Sequence, residues 1–280
     1  VSASLPTSSA GRVESTTQFF NREGSTTRFS DRVEAYVAAR PRYPDAIAPL
    51  LARELNLPVD AVIADIGSGT GISCAPFLAA GFTVLGVEPN EAMRVAAERD
   101  LAGQARFRSI NGTAEATSLA AASVDLVIAG QAFHWFDPEP FRAEVLRILK
   151  PDGALALFWN SRVNDASPFM AEYDRLLIEC CPEYREKWAK SHVDGTLTRH
   201  APAMRIVFGG DWREAALDNA QVLDRAGLIA RVESDSYAPK PGDPLHAPMV
   251  NALIALFDRH AQCDSVTINY RTRIFFGRPR

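Results

Sequence analysis

The chain has 280 residues, 47% of them hydrophobic and 23% charged, with a formal net charge of −4. That composition fits a globular protein of one large domain or a domain with an insertion. The slightly acidic balance gives no reason to expect nucleic acid or an anionic membrane as a partner, and no apolar run approaches the roughly 20 residues that span a bilayer.

Residues 1–28 are polar, rich in Ser and Thr at the start, and without the apolar core of a signal peptide, so a mobile segment is expected there. Cys74, Cys180, Cys181 and Cys263 show no C-x-x-C spacing, which points to a reducing cytoplasm rather than a disulfide framework. His134, His192, His200, His246 and His260 form no ligand pattern, and no metal is expected. Ser30 can cap a short helix carrying Val33, Tyr36 and Val37, which Pro41 ends. Pro44 opens a second helix with Ile47, Leu50, Leu51 and Leu55 at helical spacing.

Strand and helix signals then alternate. "AVIADIG" reads as a buried strand, residues 72–80 as a helix, and "FTVLGVEP" as a second strand. Asn90 can cap the helix that holds Met93 and Ala97. "ARFRSING" and "VDLVIAG" are the third and fourth strands. Asp137 and Pro138 suit an N-cap and first helical position, before Phe141, Val145, Ile148 and Leu149. "KPDG" reads as a turn and "ALALFWN" as a fifth strand. Short apolar strands separated by helices predict a doubly wound α/β fold with a parallel sheet covered on both faces.

The alternation then stops. Residues 164–200 read as helical, with Phe169, Tyr173, Leu176 and Leu177 on one face, and form a candidate lid. The stretch 203–237 is ambiguous: "MRIVF" suits a strand, and "AQVLDRAGLIARV" a strand or a helix. A helix is expected over 245–261. In "SVTINYRTRIFFGR" the residues Val266, Ile268, Tyr270, Thr272, Ile274 and Phe276 share one face, as in a long antiparallel strand. With no repeat and no linker, residues 29–280 read as a single domain with a lid.

The stretch "DIGSGTG" carries the chemistry. Gly67, Gly69 and Gly71 follow a strand that ends near Asp65, and a helix follows them. Glycine there lets the chain turn sharply and lets a ligand approach, while the helix N-terminus offers free N–H groups. The dinucleotide fingerprint is G-x-G-x-x-G. Here the third glycine comes one residue early and Ile72 takes its place, which favours S-adenosylmethionine over a pyrophosphate cofactor. Glu88, about 20 residues on, stands where an acid accepts hydrogen bonds from ribose hydroxyls. The alternatives are a ligand-free structural turn for the loop and a solvated acid for Glu88.

In order along residues 60–160, "DIGSGTG", "VEPN", "GTAEATSLAAASVDLVIAGQAFHWFD" and "LKPDGAL" together resemble the class I S-adenosylmethionine-dependent methyltransferases. With "RPRYP", "HWF" and "FWN", the chain is most similar to the trans-aconitate-type subgroup that methylates small molecules. "SDSY" and "YRTRIFFGR" resemble that subgroup's C-terminal part more weakly. The resemblance implies a Rossmann-like, mostly parallel seven-stranded sheet with an antiparallel last strand, and a helical lid. It implies S-adenosyl-L-methionine as cofactor, S-adenosyl-L-homocysteine as product, and no metal.

By the same resemblance, Gly67, Ser68 and Gly69 pack on the cofactor's methionine portion and Asp65 orients its amino group. Glu88 holds the ribose, Pro89 and Met93 lie by ribose and adenine, Ala114 and Glu115 contact adenine, and Gln131 lies beside the sulfonium. Arg40 faces the cofactor's carboxylate or is a helix C-terminal arginine. Tyr36 closes over the same pocket or is a core residue. His134 is the candidate base or substrate contact, and Trp135, Trp159 and Asn160 are candidates for the acceptor pocket, with core packing as the alternative for both tryptophans. Tyr237 is a more distant candidate. Arg271 and Arg273 either meet an anionic substrate or are solvated.

The expected activity is O-methylation of a carboxylate or hydroxyl on a small molecule, in the cytoplasm. C-methylation of a quinone-like ring, a non-catalytic S-adenosylmethionine-binding protein and, last, an NAD-dependent oxidoreductase are the alternatives. The acceptor's identity and the oligomeric state stay open.

Overall fold

Seven strands form one sheet in the computed structural model, which describes residues 39–279, without the side chains of 187–199. The strands are β1 (Val62–Ile66), β2 (Thr83–Val87), β3 (Phe107–Ile110), β4 (Val124–Gly130), β5 (Leu149–Arg162), β6 (Arg213–Leu223) and β7 (Val266–Gly277), in the order β3-β2-β1-β4-β5-β7-β6. The first five in space run parallel. β7 pairs antiparallel with both β5 and β6. The order reverses between β1 and β4, the position where doubly wound sheets open a crevice at the strands' carboxyl ends.

The apolar runs of β1 and β4 are buried because helices cover both faces. On one face lie α1 (Ile47–Leu55) and α2 (Ala75–Ala79), with Leu51 and Phe77 packed on Ile63, Leu126 and Phe158. On the other lie α4 (Pro138–Ile148) and the end of α6 (Pro182–Phe208), where Phe141 and Val145 meet Met204, Val207 and Phe208. A third core joins α5 (Pro168–Cys180), α7 (Arg225–Glu233) and α8 (His246–His260) to the first half of β7. Helix α3 (Glu91–Asp100) starts as expected, with Asn90 Oδ1 accepting from the Met93 N–H at 3.1 Å.

Three expectations change. "KPDG" lies inside β5 rather than before it. Leu149 pairs with Val124 and Ala154 with Leu126, so two steps along β4 face five along β5, and the excess bulges out. Lys150 on the bulge grips Asp125 at 2.8 Å, and Asp125 also accepts from the Val62 N–H. "MRIVF" is the last turn of α6: Met204, Val207 and Phe208 have i, i+3, i+4 spacing and are all buried. "AQVLDRAGLIARV" is both strand and helix. It divides at Asp224, whose carboxylate caps the Gly227 N–H at 2.7 Å. The alternating face of β7 is buried throughout, as its sequence predicts.

Tyr36 and the short helix expected around it lie outside the described residues. Among the described residues no helix is long and apolar enough to cross a membrane.

Candidate functional site

The glycine loop leaves β1 at the open end of the crevice. Gly67, Gly69 and Gly71 all have positive φ, at 69°, 55° and 81°, where a Cβ costs roughly 1–2 kcal/mol per residue. Their surroundings differ. A Cβ on Gly67 would meet Ala132 Cβ at 2.7 Å, and one on Gly71 would meet Leu101 Cδ1 at 2.6 Å, so both lie against protein. A Cβ on Gly69 would meet nothing within 4 Å and would point into open space. The loop is tied to β2, because the N–H groups of Gly67 and Ser68 both donate to the Val87 carbonyl.

Asp65, the last but one residue of β1, lies beneath this loop and is fully buried. Its Oδ2 accepts from Ser73 Oγ at 2.6 Å and from the Cys74 thiol at 3.1 Å. Its Oδ1 is buried with no hydrogen-bond partner among the described residues. Burial raises the carboxyl to about 7, outweighing the two donors that lower it, and Glu88 adds a smaller push upward. Ser73, which aims Asp65 from the helix side, was not among the residues singled out from sequence. Its place eight residues on, where the next helix begins, is the only signal it leaves.

Glu88 is the first residue beyond β2. Its Oε2 accepts from the Gly69 N–H at 3.1 Å and its Oε1 from the Asn90 N–H at 2.9 Å. A carboxylate has about four acceptor positions, so two remain for a ligand's hydroxyls. Burial lifts its pKa, opposed by those two N–H groups and by Arg94. Arg94 ties the exit of β2 to that of β3 through the Glu88 and Pro89 carbonyls and Asn111. Met93 is buried in the first turn of α3. Ala114 and Glu115 sit at the tip of a tight turn closed by Thr113 and Ala116, and Glu115 accepts from the Asp137 N–H at 3.2 Å.

At the exit of β4, Gln131 takes φ +56°, rare for a residue with a side chain, while its N–H donates to the Phe158 carbonyl of β5. A short 3-10 turn, Phe133–Trp135, follows, with His134 exposed and Phe133 buried. The His134 ring lies 4.9 Å from that of Trp135 and 6.5 Å from His200 of α6. His200 in turn stacks on Trp159 at 5.6 Å and 10°. Four rings, from the turn after β4, from β5 and from α6, therefore share one wall. His200 was not singled out from sequence, since nothing in its spacing ties it to β5. Asn160 is engaged with the chain itself, donating to the Arg42 carbonyl and accepting from Thr272 and Asn219.

Arg40 donates to the Ser234 carbonyl and lies 3.4 Å from Asp235, beside Tyr237. Arg271 and Arg273 pair across the strands with Asp218 and Glu214.

Residues 64–157 match a protein-family model described as a methyltransferase domain. Over that stretch, about a third of its length, the chain is similar to methyltransferase domains. It is 33% identical over 154 residues to an uncharacterized methyltransferase-like protein of Schizosaccharomyces pombe, a match over 53% of this chain and 57% of that protein. It is 34% identical over 150 residues to an uncharacterized methyltransferase of Mycobacterium tuberculosis, over 51% and 56% of the two chains. The match thus spans under three fifths of these relatives' length. The fold agrees with a solved structure from Anaeromyxobacter dehalogenans, described as a proposed type II methyltransferase. That pair has a TM-score of 0.59 and 24% identity, and the match covers 85% of this chain and 97% of the other.

The matched stretch includes Asp65, the glycine loop, Glu88 and Gln131. Two features there suit an adenosyl amino-acid cofactor: the unmatched Asp65 oxygen, which fits an ammonium, and the open space beside Gly69 next to the Glu88 carboxylate.

Proposed function

We propose that this protein transfers a methyl group from S-adenosylmethionine to a small molecule, by O-methylation of a carboxylate or hydroxyl. The observation that carries the reading is the buried, unpartnered Asp65 Oδ1 beneath a glycine loop whose N–H is held by Glu88. When bound, the cofactor supplies an electrophilic methyl on its sulfonium.

The chain's own part is to hold and to shield. Asp65 takes the ammonium, the backbone of Gly67, Ser68 and Gly69 packs on the methionine portion, and Glu88 accepts from the ribose hydroxyls. Pro89 and Met93 flank ribose and adenine, Ala114 and Glu115 meet the adenine edge, and Gln131 lies by the reacting centre. Arg40 stands further out. Holding the reactants in line is worth roughly 7–11 kcal/mol of barrier. Residues 164–200 are the lid, and Trp135, Trp159 and Asn160 line the acceptor pocket that it keeps dry. A carboxylate acceptor needs no base. For a hydroxyl acceptor, an imidazole nitrogen of His134 removes the proton from the oxygen. The cytoplasm is the compartment that four scattered cysteines suit.

The subgroup resemblance of "RPRYP", "HWF" and "FWN" supports the carboxylate over other acceptors. An aromatic acceptor is the second reading. The ring wall of Trp159 and His200 favours it, and the chain is 27% identical over 178 residues to a ubiquinone biosynthesis O-methyltransferase of Rhodopseudomonas palustris. A screen with methyl-labelled cofactor against small organic acids, phenols and quinols tests these readings. Label in base-labile esters supports the first and label on a ring compound the second. Silence across the panel with cofactor binding intact leaves a non-catalytic binding protein.

A further inference from the structure

We propose that the seam between the sheet and the third core is an oxyanion-binding subsite for the methyl acceptor, with the Arg162 guanidinium as its donor. This rests on the methyltransferase reading above for the word acceptor, but not for the site itself. Arg162 is the last residue of β5, three positions beyond Trp159 and so about 10 Å further out at strand rise. It lies beyond the same strand ends that carry Gly67, Glu88 and Gln131.

The guanidinium is fixed before any ligand arrives. Its carbon lies 5.6 Å from the ring centre of Tyr173 and 5.0 Å from that of Tyr184, and Nη1 donates to the Tyr237 hydroxyl at 2.9 Å. Its charge, however, is poorly matched. Among the described residues the carboxylate paired with it is Asp235, at 3.9 Å, and Asp235 is already paired with Arg231 at 2.9 Å and Arg40 at 3.4 Å. Arg231 is itself buried and also donates to the Tyr270 hydroxyl. Three guanidiniums, those of Arg40, Arg162 and Arg231, thus share one buried carboxylate, which the Tyr237 hydroxyl also donates to. Such a surplus is costly unless another anion answers it.

Two further features show where that anion goes. The Arg162 side chain keeps 14% of its surface exposed, so an edge of the fork can still be reached. The Tyr173 hydroxyl, fully buried under the same guanidinium, has no hydrogen-bond partner among the described residues. A planar fork beside an unused hydroxyl donor suits a carboxylate or phosphate oxygen pair.

Malonate and inorganic phosphate, titrated calorimetrically at constant ionic strength into protein saturated with S-adenosylhomocysteine, are the test. The wild-type chain should bind at least one of them saturably. Arg162→Lys, which keeps the charge but loses the fork, should weaken that binding at least tenfold, and Tyr173→Phe, which removes one oxygen only, about threefold or more. S-adenosylhomocysteine should bind all three proteins alike. Absence of saturable anion binding, or unchanged affinity in folded Tyr173→Phe and Arg162→Lys, overturns the proposal. So does a loss confined to S-adenosylhomocysteine, which would mean that the cluster serves the cofactor's carboxylate. Anion binding by a protein that ignores S-adenosylhomocysteine would sink the methyltransferase reading and leave the arginine site standing.

Discussion

The Gly69 N–H donates to Glu88 Oε2 at 3.1 Å, so the bend after β1 is held by the first side chain beyond β2. One carboxylate thereby shapes the loop and still has acceptor positions to offer a ligand. Glu88→Ala removes both. The variant should lose about 1–3 kcal/mol of stability and bind S-adenosylhomocysteine at least tenfold more weakly. Thermal unfolding and calorimetry read the two effects separately, and unchanged affinity in a folded variant would take Glu88 out of the site.

The three loop glycines should respond differently to alanine. Gly67→Ala adds a clash with Ala132 to an unfavourable φ and is expected to destabilise the fold by about 2–4 kcal/mol. Gly69→Ala meets no protein atom within 4 Å, so its folding cost is limited to about 1–2 kcal/mol of backbone strain. Its methyl projects into the open space assigned to the cofactor, and binding should fall steeply in a protein that still folds. Denaturant titrations paired with binding isotherms would show the contrast.

Asp65 predicts a pH dependence. Burial raises its carboxyl to about 7 from an ordinary 3.8, so the folded state holds the proton more tightly than the unfolded one. The stability it contributes is full below about 3.8 and falls as pH rises through about 7. Asp65→Asn keeps an acceptor for Ser73 without the charge, and should be the more stable protein above pH 7. Cofactor affinity should run the other way: rising in the wild-type chain as the carboxylate forms, and flat across the same range in Asp65→Asn.

The parallel half of the sheet was legible because its strands are apolar runs cut by glycine, proline and capping residues. β4 emerges at the residues its sequence marks, Val124–Gly130. The edge was not legible for the opposite reason. β6 alternates between exposed and half-buried positions and buries only Leu223, so it shows no apolar face to recognise. "MRIVF" misleads because five consecutive residues with an apolar majority suit either periodicity, and the partners on α4 that settle it are distant in sequence. In the site, Asp65 and Glu88 could be found from their spacing to the glycines. Ser73, His200 and the Arg162–Asp235 cluster depend on tertiary contacts that no local pattern encodes.

Glu144 supplies a test of the scaffold away from the crevice. Arg147 holds its carboxyl at about 2, with help from Thr117 against the cost of burial. The depressed value means that this stabilisation is complete above about 4.5 and disappears as pH falls toward 2. Glu144→Gln should therefore be less stable than wild type at neutral pH, by about 1–3 kcal/mol, with the gap closing in acid. A gap that is constant from pH 7 to pH 3 would refute the assignment.

The most direct test of the whole account is calorimetric titration of the purified chain with S-adenosylmethionine. The crevice described above predicts saturable binding of one molecule per chain, with a dissociation constant on the order of 1–100 μM. No detectable binding up to millimolar ligand, by a protein shown to be folded, would contradict it.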